Sequence, residues 1–109
     1  MRVRWTRPAL RDLRALQDYI AEDSPTTANR ITRRIRDAVS GLADFPESSR
    51  PGRVGKTREL IVNKGRHLVA YRVRGQIVQI IALVDVRRGG VLNIISERTG
   101  ESVSPPPHE

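Results

Sequence analysis

The chain has 109 residues, is 38% hydrophobic and carries a formal charge of +8. That length suits one domain. Its apolar residues come in aliphatic blocks with only Trp5, Tyr19, Phe45 and Tyr71 as aromatics, which indicates a folded aliphatic core rather than a disordered chain. The absence of cysteine excludes disulfide and thiolate chemistry. With no run of signal-peptide or bilayer-spanning length, a cytoplasmic protein with no membrane partner is expected.

Arg2-Val3-Arg4-Trp5 alternates polar and apolar residues and reads as a short strand. Pro8 suits a first helical turn capped by Thr6 or Arg7. Ala9, Leu13, Leu16 and Ile20 then form an amphipathic stripe, predicting a helix near 8–22. Ser24-Pro25 is a second cap-and-start signal. Ala28, Ile31, Ile35, Ala38, Val39 and Leu42 extend that helix over 25–44, where Phe45-Pro46 ends it. So short a connector makes the pair an antiparallel helical hairpin. Residues 47–57, with Pro51, Gly52 and Gly55, read as a basic loop.

Three β-branched runs follow, predicting strands over 58–63, 66–74 and 76–86, joined at Lys64-Gly65 and Gly75 as an antiparallel meander. The expected class is α+β: an N-terminal strand and a helical hairpin packed on one face of an antiparallel sheet. Residues 1–98 form the domain, and 99–109, with Pro105-Pro106-Pro107, read as a disordered tail. Simple alternation puts Val78, Ile80, Ala82, Val84 and Val86 towards the hairpin. The opposite face then carries Ile77, Gln79, Ile81, Leu83 and Asp85. Leu68 and Ala70 extend it on the middle strand, with Arg66 and Arg72 at its ends. Either a partner covers this second apolar face, or Val91–Ser96, read as an edge strand or irregular return, or the tail, folds over it.

The charge is unevenly placed. Residues 45–88 carry ten basic and three acidic side chains, and 18 of the 20 basic residues are Arg. Such a field attracts nucleic acid or an acidic protein, and arginine offers planar bidentate contacts to phosphate or carboxylate. Gly52-Arg53-Val54-Gly55-Lys56-Thr57 lacks the first glycine and the preceding strand of a phosphate-binding loop. His67 and His108 are too few and too far apart for a histidine metal cluster. No metal and no cofactor are implied. Arg30, Arg33, Arg34 and Arg36 read as a solvated helix surface and His67 as a surface strand residue. Arg53, Lys56, Arg58, Arg66, Arg72, Arg74, Arg87 and Arg88 lie on loops and strands around the second sheet face.

In this order the elements and their wording resemble the RelE/ParE toxin superfamily. The resemblance rests on Val3-Arg4-Trp5 with Ala9 and Asp12-Leu13, Asp18–Pro25, Leu42–Pro46 with Arg50–Arg53, Arg58–Val62 and Val69–Val73. It covers about residues 3–88 and is closest to the ParE branch. It implies the toxin of a type II toxin–antitoxin pair of the plasmid-stabilisation kind: a hetero-oligomer with a cognate antitoxin, meeting promoter DNA only through that antitoxin. Two targets are implied. ParE-like members inhibit DNA gyrase by binding, for which Arg58, Arg72, Arg87 and Arg88 are the candidate contacts. RelE-like members cut mRNA on the ribosome, for which Arg72, His67, Glu59 and Arg87 are the candidate catalytic groups. Leu68 stands where cleaving members commonly place an Arg, and Asp85 near where many members carry His or another basic group. The gyrase reading is therefore preferred. Leu68, Ala70, Ile77, Ile81, Leu83 and Arg66 are the candidate antitoxin contacts.

Overall fold

A computed structural model describes residues 1–103 of the chain. Its elements run β1 (Arg2–Trp5), α1 (Arg7–Ala21), α2 (Pro25–Ser40), a 3-10 turn (Gly41–Ala43), β2 (Arg50–Pro51), β3 (Arg58–Val62), β4 (His67–Arg74), β5 (Ile77–Asp85) and α3 (Val91–Thr99). The helix starts follow the capping signals. Thr6 Oγ1 accepts from Ala9 N–H at 3.3 Å and Ser24 Oγ from Thr27 N–H at 3.2 Å, and a proline opens each helix.

The sheet has five strands in the order β1-β5-β4-β3-β2. The meander β3-β4-β5 is antiparallel, as expected, but the sheet is mixed, because β1 pairs with β5 in parallel. The helical hairpin covers one face. Ala9, Leu13, Ile35, Val39 and Leu42 pack there on Val62, Val69, Tyr71, Val78, Ile80 and Leu83, with Val3 and Trp5 against them. Tyr71 is fully buried, and its hydroxyl donates to Pro46 C=O at 2.7 Å.

Two expectations are corrected. Register shifts between Ala70 and Tyr71, which face Ala82 and Ile80 respectively, so Ile81 has no opposite residue. This β-bulge reverses the alternation beyond it. Leu83 therefore faces the hairpin, while Ala82 and Val84 face the other way. The second correction is that Val91–Thr99 is a helix, not an edge strand or irregular return. Left-handed Gly90 (φ 79°) and Gly100 (φ 75°) bound it.

Helix α3 lies on the second sheet face. Val54, Leu68, Ala70, Ile81, Ala82 and Ile95 are buried together there, with Val84, Val91, Leu92 and Ile94 beside them. A nine-residue helix is marginal in isolation, so packing and anchors hold it. Arg98 grips Asp12 of α1 with two hydrogen bonds, at 2.6 and 3.1 Å. Thr99–Val103, where the tail was expected to begin, makes contacts back to the domain. Thr99 Oγ1 donates to Ile95 C=O, Gly55 N–H donates to Ser102 C=O, and Val103 bridges Val54. Pro105-Pro106-Pro107 and His108 lie outside the described residues.

Ile35 has no exposed surface. Ile35→Asp is expected to leave the protein unfolded at 25 °C, because an unpaired buried carboxylate costs several of the ~5–15 kcal/mol that hold a domain. A variant with the thermal melt of the parent would show that the α2 stripe is not core.

Candidate functional site

Beyond Trp5 the chain leaves the sheet to form α1, so β5 from Ile81 onward has no strand on that side. Two side chains stand in for the missing neighbour. Leu83 N–H donates to Asp12 Oδ2 at 3.0 Å, and Ile81 C=O accepts from Arg98 at 3.1 Å. Along this edge runs a groove of about 700 Å³. Leu16, Tyr19 and Ile20 of α1 form one wall, Leu83 and Val84 the floor, and Val91 and Ile94 of α3 the other wall. Tyr19 is 62% exposed at its lip.

The rim is basic. Arg66, Arg87 and Arg88 close the far end of the groove around Asp85. Asp85 accepts from Arg87 N–H at 2.9 Å and from Arg66 Nε at 3.3 Å. Burial alone would raise the Asp85 pKa; the Arg87 N–H and the Arg66 guanidinium outweigh it and hold the group below its ordinary 3.8. Arg66 and Arg87 thus pair with one ionised carboxylate, and with Arg88 beside them the rim keeps a positive excess.

The candidate residues do not converge. Among the proposed target contacts, only Arg87 and Arg88 share a place. Arg58 donates to the carbonyls of Glu47 and Ser49 and so fastens the loop before β3. Arg72 donates to Gln79 at 2.7 Å. The six residues from Gln79 to Asp85 put Arg72 roughly 20 Å along the sheet from the rim.

Of the candidate catalytic groups, His67 and Arg87 lie near each other beside Asp85, while Glu59 and Arg72 lie elsewhere. Glu59 is 1% exposed and accepts from Arg50, from the Arg53 backbone N–H and from the Arg53 guanidinium. Burial alone would raise its pKa; the Arg53 N–H and the two guanidinium groups overcome that and hold it below 4.5. It is an ionised anchor with its lone pairs in use. His67, expected on the surface, is 2% exposed because β4 is an inner strand and His67 sits between Val62 of β3 and Asp85 of β5. Asn63 Nδ2 lies 3.0 Å from its Nδ1, and Nε2 is buried with no hydrogen bond among the described residues. Burial pushes its pKa below 6.5 against the nearby charge of Asp85.

The antitoxin candidates are also redistributed. Helix α3 covers Leu68, Ala70 and Ile81, which leaves them no surface for a partner in this conformation. Ile77 is half-buried at the open end of the sheet. Only Arg66 and Leu83 line the groove. Sequence reasoning missed Leu16, Tyr19, Val91 and Ile94 as groove residues and Asp12–Arg98 as its clasp. The signal was present: Val91, Leu92, Ile94 and Ile95 follow helical spacing, with Gly100 in the stop position. Among the described residues no group of three or more candidate metal ligands occurs, and no helix is long and apolar enough to cross a membrane.

Comparison with known proteins agrees with this architecture. Residues 3–89 match the family model described as the ParE toxin of type II toxin–antitoxin system, parDE. The chain belongs to the ParE toxin family. It is therefore the toxin of a type II system, a kind of protein paired with an antitoxin. It is 44% identical over 72 residues to a putative toxin, Y4kP, of Sinorhizobium fredii, covering 66% of this chain and 75% of the relative. Over 79 residues it is 37% identical to toxin RelE2 of Caulobacter vibrioides, covering 72% and 88%. A solved chromosomal ParDE toxin–antitoxin system from P. aeruginosa superposes with a TM-score of 0.69 at 28% identity. That match covers 78% of this chain and 95% of the other. The fold is the α+β fold of RelE/ParE toxins.

The shifted groups predict that this ParE toxin loses stability in acid. A histidine held below 6.5 contributes stability that is present above that value and lost as pH falls through it; Glu59 and Asp85, held below 4.5 and 3.8, do the same at lower pH. Denaturant midpoints are expected to fall from pH 7 to 5, and His67→Leu to flatten that part of the curve. Equal slopes for the variant and the parent would remove His67 from the account.

Proposed function

We propose that this toxin acts in the cytoplasm by binding and inhibiting DNA gyrase, and that its antitoxin neutralises it by filling the groove between α1 and α3. The observation that carries the target is the commitment of the four candidate catalytic groups. Cleavage of RNA needs a base and a positive stabiliser around one phosphate. Here Glu59 is saturated by Arg50 and Arg53, His67 is buried near β4's start, Arg72 is held by Gln79, and Arg87 stands beside Asp85. Inhibition by binding needs only a complementary surface, and Arg87 and Arg88 offer an exposed one.

A ribosome-dependent mRNA endonuclease is the second reading, favoured by the likeness to a relative named toxin RelE2. Adding purified toxin to a DNA supercoiling reaction and to a ribosome-programmed mRNA separates the two. Blocked supercoiling, or gyrase-linked DNA breaks, with intact mRNA is the expected result. Codon-positioned cuts with normal supercoiling would replace the first reading by the second.

For the antitoxin, the groove suits a segment with apolar anchors and acidic flanks, which gains burial and Arg–carboxylate pairs together. An exposed tyrosine at the lip of such a cleft is a characteristic anchor. Tyr19→Asp is expected to leave the melt unchanged and to weaken antitoxin binding at least ~tenfold, about 1.4 kcal/mol. Unchanged affinity by calorimetry would move the antitoxin elsewhere.

A further inference from the structure

A second cationic surface lies at the other end of the sheet. Arg2 pairs with Ile77, which pairs with Arg74; Arg4 pairs with Gln79, which pairs with Arg72. Directly paired residues share a face. Val3, Val78 and Val73 occupy the rows between, and Val3 and Val78 belong to the hairpin core, so the four arginines project from the opposite face. Helix α3 covers that face only near the bulge. The arginines therefore mark the corners of a rectangle of about 10 by 7 Å, two strand spacings wide and two residues long.

Arg2, Arg4 and Arg74 are exposed, and Gln79 orients Arg72 from within the array. Among the described residues none of the four is in an ion pair, whereas Arg50, Arg53, Arg66, Arg87 and Arg98 all are. The carboxylate acting on this array is that of Glu101, felt at Arg72 and also paired with Lys56 at 3.7 Å. The arginines of α2 are exposed too, but they project around a solvated helix with Asp37 among them.

We propose that Arg2, Arg4, Arg72 and Arg74 form a binding face for the phosphate backbone of duplex DNA. A duplex is favoured over a single strand because this face offers no aromatic platform. Trp5 packs on the opposite side and Tyr71 is buried there, whereas single-strand binding depends on base stacking. It is favoured over an acidic peptide because the array is a wide flat lattice of cations with a single half-buried aliphatic side chain, Ile77, to anchor a peptide. The surface reads charge and not sequence. It does not rest on the gyrase reading, and it departs from the expectation that DNA is met only through the antitoxin.

The test is fluorescence anisotropy of the full-length toxin with a labelled 20-base-pair duplex, titrated at several salt concentrations. Four phosphate contacts predict a slope of log K against log salt of about −3.6, at about −0.9 per contact. The double variant Arg2→Gln, Arg74→Gln is expected to reduce that slope by about 2 and the affinity at least tenfold. Its thermal melt and its antitoxin binding should stay at parental values, since both side chains are exposed and far from the groove. The control variant Arg30→Gln, Arg34→Gln on α2 should retain the parental slope. A sheet variant with the parental slope, or a helix variant that alone lowers it, would overturn the assignment. So would tighter binding of polyglutamate or of single-stranded RNA than of the duplex, which would identify an acidic protein or an RNA as the partner. Supercoiling assays on the same variants report separately on gyrase.

Discussion

The carboxylate of Asp12 occupies the place where the sheet would otherwise need another strand. β1 ends at Trp5, four residues into its pairing with β5, and leaves the backbone of Ile81 and Leu83 unmatched. Buried edge groups of this kind require partners. Asp12 takes the Leu83 N–H, and its own partner, Arg98, gives a hydrogen bond to the Ile81 carbonyl. One ion pair thus completes the edge, fixes α1 over the sheet and anchors the last turn of α3. With Arg98 and Asp12 side chains 27% and 18% exposed, the pair is shielded enough for the geometry to count. The larger stabilisation of α3 comes from burying Ile95 completely, a contribution of about 1.5–3 kcal/mol.

Coverage of both sheet faces determines where function can reside. The hairpin fills one side and α3 the apolar part of the other, so neither offers a broad apolar platform. What remains is the perimeter: the cleft where α1 and α3 diverge over the unpaired edge, and the uncovered end of the second face. The ion pairs partition the positive charge along the same lines. Glu59 consumes Arg50 and Arg53 to hold the loop before β3, where a Cβ on Gly52 would collide with the Thr57 side chain and stand 2.8 Å from the Thr57 backbone carbonyl. Asp85 tempers Arg66 and Arg87 without cancelling them. Arg2, Arg4, Arg72 and Arg74 are left with their charge turned outward.

Helices α1 and α2 and the meander were legible because each rests on a local signal: Thr6 and Ser24 as caps, Pro8 and Pro25 at first-turn positions, and glycine turns between β-branched runs. The bulge was not. Ile81 looks like any apolar residue in an apolar strand, and a strand buried on both faces carries no alternation to reveal a slip. The face assignments of Ala82, Leu83 and Val84 failed for that reason alone. Helix α3 carried two opposed signals: the helical spacing that ends at Gly100, and β-branched Val91, Ile94 and Ile95, which favour strand; tertiary contact with Leu68 and Ile81 decides between them. The groove was illegible because its walls, α1 and α3, lie some seventy residues apart in the chain, and the clasp between them joins residues 86 apart.

The burial of Leu68 connects α3 to the chemistry of the site. In cleaving relatives, as the resemblance implies, the middle strand commonly carries an arginine at this position, exposed to substrate. Here the position is 1% exposed and packed in the cluster around Ile95. An arginine would have to bury its guanidinium beneath α3, at a cost of several kcal/mol if unpaired, or expel the helix. A closed α3 and a cation at position 68 are therefore mutually exclusive solutions for the same face. A chain that adopts the closed solution gains core and has no cation at the position where the resemblance places one in cleaving members. The apolar second face is thus accounted for by α3 packing on it, and the same packing fits the proposed action by binding.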